Sequence, residues 1–299
     1  MLASPSHAVI GARSPGPMVE FLVGLGFEQA SRGTLPAPAA SALYGLEGEV
    51  AEVRLAVPGA ASGWLRVVET PHPAPHAGPF DRGPHAIDLY TRDMARSLEL
   101  AARGGGKVGE VGRYQVGPIA IAESKVIGPE GLAVVFLEAS RRRPSVLDTH
   151  PDRLHSELHS VVFAVDRVEE ALPFFRDEAG LGPYLDATVR EPAVARFMNL
   201  PRPDTPLRLV MLADARMSPS RLELLEFPED PGRSHETGVL RAGLHAACFC
   251  VPDLDAARAA LGGARFGSEA SLDTPVHGAA RAVAGAAAGG VPLELWQER

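Results

Sequence analysis

Four stretches of the chain share one pattern of apolar and polar positions. They are SHAVIGARSPGPMVEFLVGLGF from Ser6, PHAIDLYTRDMARSLELAARGGG from Pro84, LHSVVFAVDRVEEALPFFRDEAGLG from Leu158 and LHAACFCVPDLDAARAALGG from Leu244. Each opens on a histidine, runs through a short apolar strand, meets a helix-start residue and continues as one amphipathic helix that ends at glycine. Met18, Phe21, Leu22 and Leu25 have the i, i+3, i+4, i+7 spacing of a buried helical stripe, as do Leu254, Ala257 and Leu261. Asp93 and Asp253 are placed to cap their helices, and Asp166 with Glu169 three residues on reads as a capping box. Gly24, Gly104, Gly180 and Gly262 stand where the helices should stop. Pro173 falls inside the third helix and predicts a kink or an early end.

Roughly 50 residues rich in glycine, proline and short apolar runs follow each helix. VRLAV from Val53, WLRVVE from Trp64, LAVVFLE from Leu132, LRLVML from Leu207 and LELLEF from Leu222 read as antiparallel strands. LPAPAAS from Leu35 and AVAGAAAGG from Ala282 read as loops or weak strands. The unit is a strand, a helix and about three strands, used four times. The opening histidines are His7, His85, His159 and His245, spaced by 78, 74 and 86 residues, out of only ten histidines in the chain. Ala139–Glu157 is charged, holds two prolines and lacks periodicity. The domain linker is placed there, at 141–157, between domains at 1–140 and 158–299. The Arg141–Arg143 run reads as part of a solvated linker.

Composition narrows the function. With 299 residues, 45% apolar and 22% charged, the chain has enough apolar material for a sizeable core. A net charge of −8 is the wrong sign for general binding to nucleic acid or an anionic membrane. Only Lys107 and Lys125 among the 29 basic residues are lysine, a bias that reads as codon usage. Cys248 and Cys250, two apart in an apolar run, cannot bridge normally on a strand, so no disulfide framework is expected. The N-terminus shows no secretory pattern and no apolar run spans a membrane, which predicts a cytoplasmic protein. The expected partner is a small molecule, with a homodimer possible.

Four histidine-led βαβββ units resemble the vicinal oxygen chelate superfamily, whose members include glyoxalase I, bleomycin resistance proteins and extradiol dioxygenases. The likeness extends from about Ser6 to Gln297. It implies an α+β fold of four βαβββ modules forming two glyoxalase/dioxygenase-like half-barrel domains. It also implies a divalent metal, Fe(II) first, with Mn(II), Zn(II), Ni(II) or Co(II) as alternatives. The family's last-strand phrase ends in a ligand glutamate. GGVPLELWQ puts Glu294 at that place and SRLELLEF puts Glu223 there, whereas module two has Val135 and module one has Val67 near it. The resemblance therefore assigns His159, His245, Glu294 and Glu223 as metal ligands of the C-terminal pair of modules. Glu223 is alternatively a general base, and His277 an acid–base residue. A second pairing, module one with module four, would instead join His7 to His245 and Glu294.

Three functions follow as expectations. The first is an Fe(II) ring-cleaving, extradiol-like dioxygenase acting on vicinal oxygens. The second is a glyoxalase- or epimerase-type lyase or isomerase. The third is a non-catalytic drug-binding protein, for which the four ligand residues would not converge.

Overall fold

The structure is a computed structural model that describes residues 2–75, 78–230, 232–234 and 238–298. Module one comprises β1 (His7–Ala12), α1 (Pro15–Gly24), β2 (Glu28–Leu35), α2 (Ala37–Tyr44), β3 (Val50–Ala56) and β4 (Trp64–Glu69). Module two comprises β5 (Gly83–Tyr90), α3 (Met94–Arg103), β6 (Lys107–Val116), β7 (Ile119–Ile127) and β8 (Ala133–Ala139). Module three comprises β9 (Ser160–Ala164), α4 (Val168–Pro173), β10 (Gly182–Val189), α5 (Pro192–Met198), β11 (Leu207–Ala213) and β12 (Arg221–Glu226). Module four comprises β13 (Gly243–Cys250), α6 (Leu254–Ala260), β14 (Arg265–Thr274), β15 (Gly278–Ala286) and β16 (Pro292–Glu298).

The strands form two curled eight-stranded sheets, ordered β14-β15-β16-β13-β1-β4-β3-β2 and β10-β11-β12-β9-β5-β8-β7-β6. In every module the last strand lies parallel to the first, and modules meet through antiparallel pairing of their first strands. Those contacts are β1 with β13 and β5 with β9. Module one therefore pairs with four and module two with three. The two-module units expected at 1–140 and 158–299 are not the sheet units, and the second pairing is the one adopted. A repeat of similar modules offers several equivalent first-strand edges, so the partner is chosen by tertiary packing that no single module encodes.

Alternation sorts the strand residues. Ile10, Val67, Ile87, Phe136, Phe163, Leu224, Phe249 and Leu295 point to the outer faces. There they join Met18, Phe21 and Leu22 of α1 in one core that spans both sheets. The opposite residues line two separate interiors, one enclosed by modules one and four and one by modules two and three.

Local signals hold with informative exceptions. The Asp93 and Asp253 side chains accept from the backbone N–H groups of Arg96 and Ala256, as N-caps do. Asp166 is not a cap; Arg167 takes that position, and Asp166 pairs with Arg82 at 2.9 Å. Pro173 ends α4, and the chain continues as a π-helical turn, Phe174–Glu178. LPAPAAS forms the start of α2 because Pro36 is its N-cap and Pro38 lies in the first turn, where a missing N–H costs no bond. Residues 141–157 are not a solvated tether. Val146 and Leu147 are buried, and His155 bonds the Leu25 carbonyl at 2.9 Å. Among the described residues, no helix is long and apolar enough to cross a membrane.

Candidate functional site

The register shows which residues reach each interior. Across the bulge in the first sheet, Val9 faces Ala246 and Ile10 faces Leu244, which leaves His245 as the extra residue. In the second sheet Val162 faces Ala86 and Phe163 faces Pro84, which leaves His85 as the extra residue. Val9 and Val162 are thus equivalent, and their parallel partners are Arg66 and Glu223. Cys248 and Asp88 are likewise equivalent, with partners Glu294 and Val135.

The four opening histidines do not occupy one structural position. His7 lies seven residues before its helix N-cap, Ser14, whereas His85, His159 and His245 each lie eight before theirs, Asp93, Arg167 and Asp253. One residue along a strand reverses the face. The positions equivalent to His7 are Ala86, Ser160 and Ala246, none of them an imidazole.

The interior of modules one and four is lined by buried charged and aromatic side chains. Arg66 is fully buried and donates to Glu52 at 2.8 and 3.0 Å and to the Tyr44 hydroxyl, carried by α2, at 2.6 Å. Its Nη1 stands 3.6 Å from Glu294, and its guanidinium lies 4.7 Å from the centre of the Trp296 ring. Glu294 accepts from the Trp296 indole N–H at 2.9 Å. His7 stacks on Trp64 with ring centres 3.5 Å apart. His277 stacks on Trp296, its Nε2 3.5 Å from Glu52. Burial opposes ionisation of Glu52, but Arg66 outweighs it and the pKa falls to about 2. Glu294 has the weaker share of the same cation, and burial holds its pKa above the usual range.

The interior of modules two and three holds a cavity of about 550 Å³, the size of a small-molecule site. Most of its wall is apolar, with Val135, Val162, Leu209 and Phe197 among the lining. Its polar groups gather around Arg221, which is buried and donates from Nε to Ser160 at 2.7 Å and from Nη1 to the Tyr184 hydroxyl at 2.6 Å. Glu223 lies 3.6 Å from Arg221 Nη2, too far for a hydrogen bond, and its Oε2 is buried with no donor. Asp88 and Glu123 also line the cavity, the latter accepting from Tyr114. Burial raises the pKa of Asp88, and Glu223 raises it further. Burial and Glu223 bring Glu123 to about 7. Burial raises Glu223 against the pull of Arg221. Arg141, Arg142 and Arg143, expected as linker, line this cavity.

The expected metal set is therefore divided. Glu223 belongs to one interior, and His245 and Glu294 to the other. His159 points off the barrel-facing register, its ring 3.8 Å from that of Tyr90. His245 packs edge-on against Tyr44. In the alternative trio His7 Nε2 and Glu294 Oε1 are buried without hydrogen-bond partners, but His245 is turned to Tyr44 and the Arg66 cation already stands 3.6 Å from Glu294. Val67 faces the outer core, and Arg66 holds the module-one last-strand position. Among the described residues, no three His, Cys, Asp or Glu side chains are placed to hold a metal ion. The residues present do not fit the divalent metal that the resemblance implies.

Sequence reasoning passed over Asp88, Arg66, Arg221 and Glu123. A charged residue inside an apolar strand, as in AIDLY or WLRVVE, was the available signal for the first two. Counting back from the helix caps would have separated His7 from the other three histidines.

No protein-family model matches the chain, and no curated protein matches it. Solved structures do. Glyoxalase I from Zea mays is similar over 99% of this chain and 92% of its own, with 14% identity and a TM-score of 0.66. A protein of Bacillus subtilis subsp. subtilis described as a dioxygenase is similar over 99% of this chain and 86% of its own, with 11% identity and a TM-score of 0.65. At such identities the likeness is one of fold, and it runs along the whole molecule. The four modules and two curled sheets are the fold that this chain shares with these glyoxalase I and dioxygenase structures.

Proposed function

We propose that the chain is a small-molecule-binding protein that takes a largely apolar ligand into the cavity of modules two and three, without metal chelation. One observation carries this reading. The set His159, His245, Glu223 and Glu294 is split between two interiors, and Glu294 and Glu223 each face an arginine at 3.6 Å. Fe(II) ring cleavage and metal-dependent isomerisation both need His159, His245 and Glu294, or His7 in place of His159, to share one ion with open positions. The cavity instead offers an apolar wall, the Arg221 guanidinium fixed by two hydroxyls, and one Glu223 oxygen without a donor.

A second reading rests on Glu123. With its pKa near 7, it suits proton transfer at neutral pH, which would make the cavity the site of a metal-free isomerase or lyase. Native mass spectrometry against a panel of apolar, drug-sized compounds, with elemental analysis of the same protein, tests the proposal. The expected result is ligand capture that Val135→Trp blocks, with metal well below one equivalent. One tightly held equivalent of iron, nickel or zinc whose removal abolishes capture would overturn it. Chemical conversion of a captured compound, lost in Glu123→Gln, would select the second reading.

A further inference from the structure

Resting on the reading of this cavity as a ligand site, we propose that its polar end receives a protonated amine carried on an otherwise apolar molecule, with Glu223, Asp88 and Glu123 as its counter-charges. The argument begins with an imbalance. Three carboxyl groups line one region of the cavity around a single fixed cation, Arg221. That cation spends two of its donors on hydroxyls, those of Ser160 and Tyr184.

Glu223 is 9% exposed, lines the cavity and has Oε2 without a hydrogen-bond donor. A buried carboxylate oxygen left in this state is costly unless a donor arrives. The other basic groups on the wall have their contacts away from the three carboxyls, although Arg142 Nε and Arg143 Nε and Nη1 are buried without an acceptor. Lys125 Nζ lies 3.4 Å from His85 Nε2. Arg143 donates to the Ser218 carbonyl and lies over the Tyr184 ring, and Arg142 pairs with Asp148.

An ammonium group supplies what is missing. It brings two or three N–H donors and a positive charge to a pair of acids that repel each other. Tyr90, Tyr114 and Tyr184 also line the cavity, and tyrosine faces favour a cation. An anionic head placed beside Glu223 would meet three carboxyls and is disfavoured there; tighter binding of the butyrate than of the amine would mark the Arg142 and Arg143 donors as the polar site and overturn the assignment. A bare metal ion finds no set of three convergent ligands among the described residues. The apolar wall is suited to the remainder of an organic amine. Binding the amine replaces protons that burial and mutual repulsion keep on the carboxyls, so it releases protons near neutral pH.

The test compares 1-pyrenebutylamine, 1-pyrenebutanol and 1-pyrenebutyrate, which share one apolar body and differ in head group. Affinities are read by pyrene fluorescence at pH 8, and proton release by calorimetry in two buffers. The amine is expected to bind at least about tenfold more tightly than either analogue, in line with a desolvated charge pair. It should release about half a proton from Glu123 at pH 7, where that group is half ionised. Glu223→Gln and Glu123→Gln should each cut the amine-to-alcohol preference several-fold. Equal binding of amine and alcohol, both blocked by Val135→Trp, would sink the ammonium assignment and leave the cavity reading standing. If none of the three binds, or Val135→Trp changes nothing, the cavity reading itself falls and takes this proposal with it.

Discussion

Arg66→Met removes the fully buried guanidinium from the interior of modules one and four. The replacement keeps much of the apolar stem but leaves Glu52 and Glu294 without their shared cation. Glu52 is fully buried, and its pKa of about 2 depends on Arg66. Without Arg66, burial dominates and its pKa rises above 4.5. A shift of more than two units corresponds to about 3 kcal/mol at neutral pH. That agrees with the roughly 3–5 kcal/mol seen when one partner of a buried ion pair is removed.

The pH dependence carries the diagnostic sign. In the wild type the folded pKa is depressed, so the stabilisation is complete above about 4.5 and is lost as pH falls through about 2. In the variant the folded pKa is raised, so the penalty vanishes below about 4.5. The gap between the two proteins should be widest above pH 5 and shrink towards pH 3. Urea unfolding reads it through Trp64 and Trp296, both of which line this interior. A loss under about 1 kcal/mol at pH 7, or a gap independent of pH, would refute the claim that the guanidinium neutralises these acids.

Two further outcomes are expected. Glu123→Gln should raise stability at pH 8 by about 1–3 kcal/mol and make little difference below pH 4.5. Its folded pKa of about 7 exceeds the unfolded one, so the wild type meets a cost as pH rises through that window; equal urea midpoints for the two proteins at pH 8 would contradict this. Gly11→Ala should cost about 1–3 kcal/mol, since a Cβ there would stand 2.0 Å from the Arg241 carbonyl oxygen and must push β1 from its neighbour. A thermal midpoint within one degree of wild type would show that the backbone yields freely at that place.

The fold was legible because alternation and helical spacing are local properties. VVFAVDRVEEAL announces a strand, a turn and a helix whatever lies across from it. The pairing of modules was not legible, because β1 reads equally well as a partner for β5 or β13. The histidines misled for a related reason. Their distance to the next helix matters to within one residue, and the bulges at His85 and His245 add a residue that strand-level reading does not count. Glu223 and Glu294 were placed on barrel-facing positions of the correct strands. Their neighbours were not, because Arg66 and Arg221 approach from register relations that only the sheets define.

That last difference decides the chemistry. Each interior retains a last-strand glutamate, and each sets an arginine beside it rather than a second set of ligands. An arginine is a cation that the chain cannot exchange, and its charge is spent on hydrogen bonds instead of open coordination positions. In modules one and four Trp64, Trp296 and Tyr44 complete the enclosure, so the retained Glu294 serves packing and charge balance. Glu223 and Glu294 each keep one oxygen without a donor, but in modules two and three the walls stand apart and that of Glu223 lies on a cavity wall. The same arrangement of carboxylate and guanidinium therefore produces a sealed core in one sheet and a receptive cavity in the other. What separates them is the bulk of the side chains opposite: Trp64 occupies the register position that Arg221 holds in the second sheet.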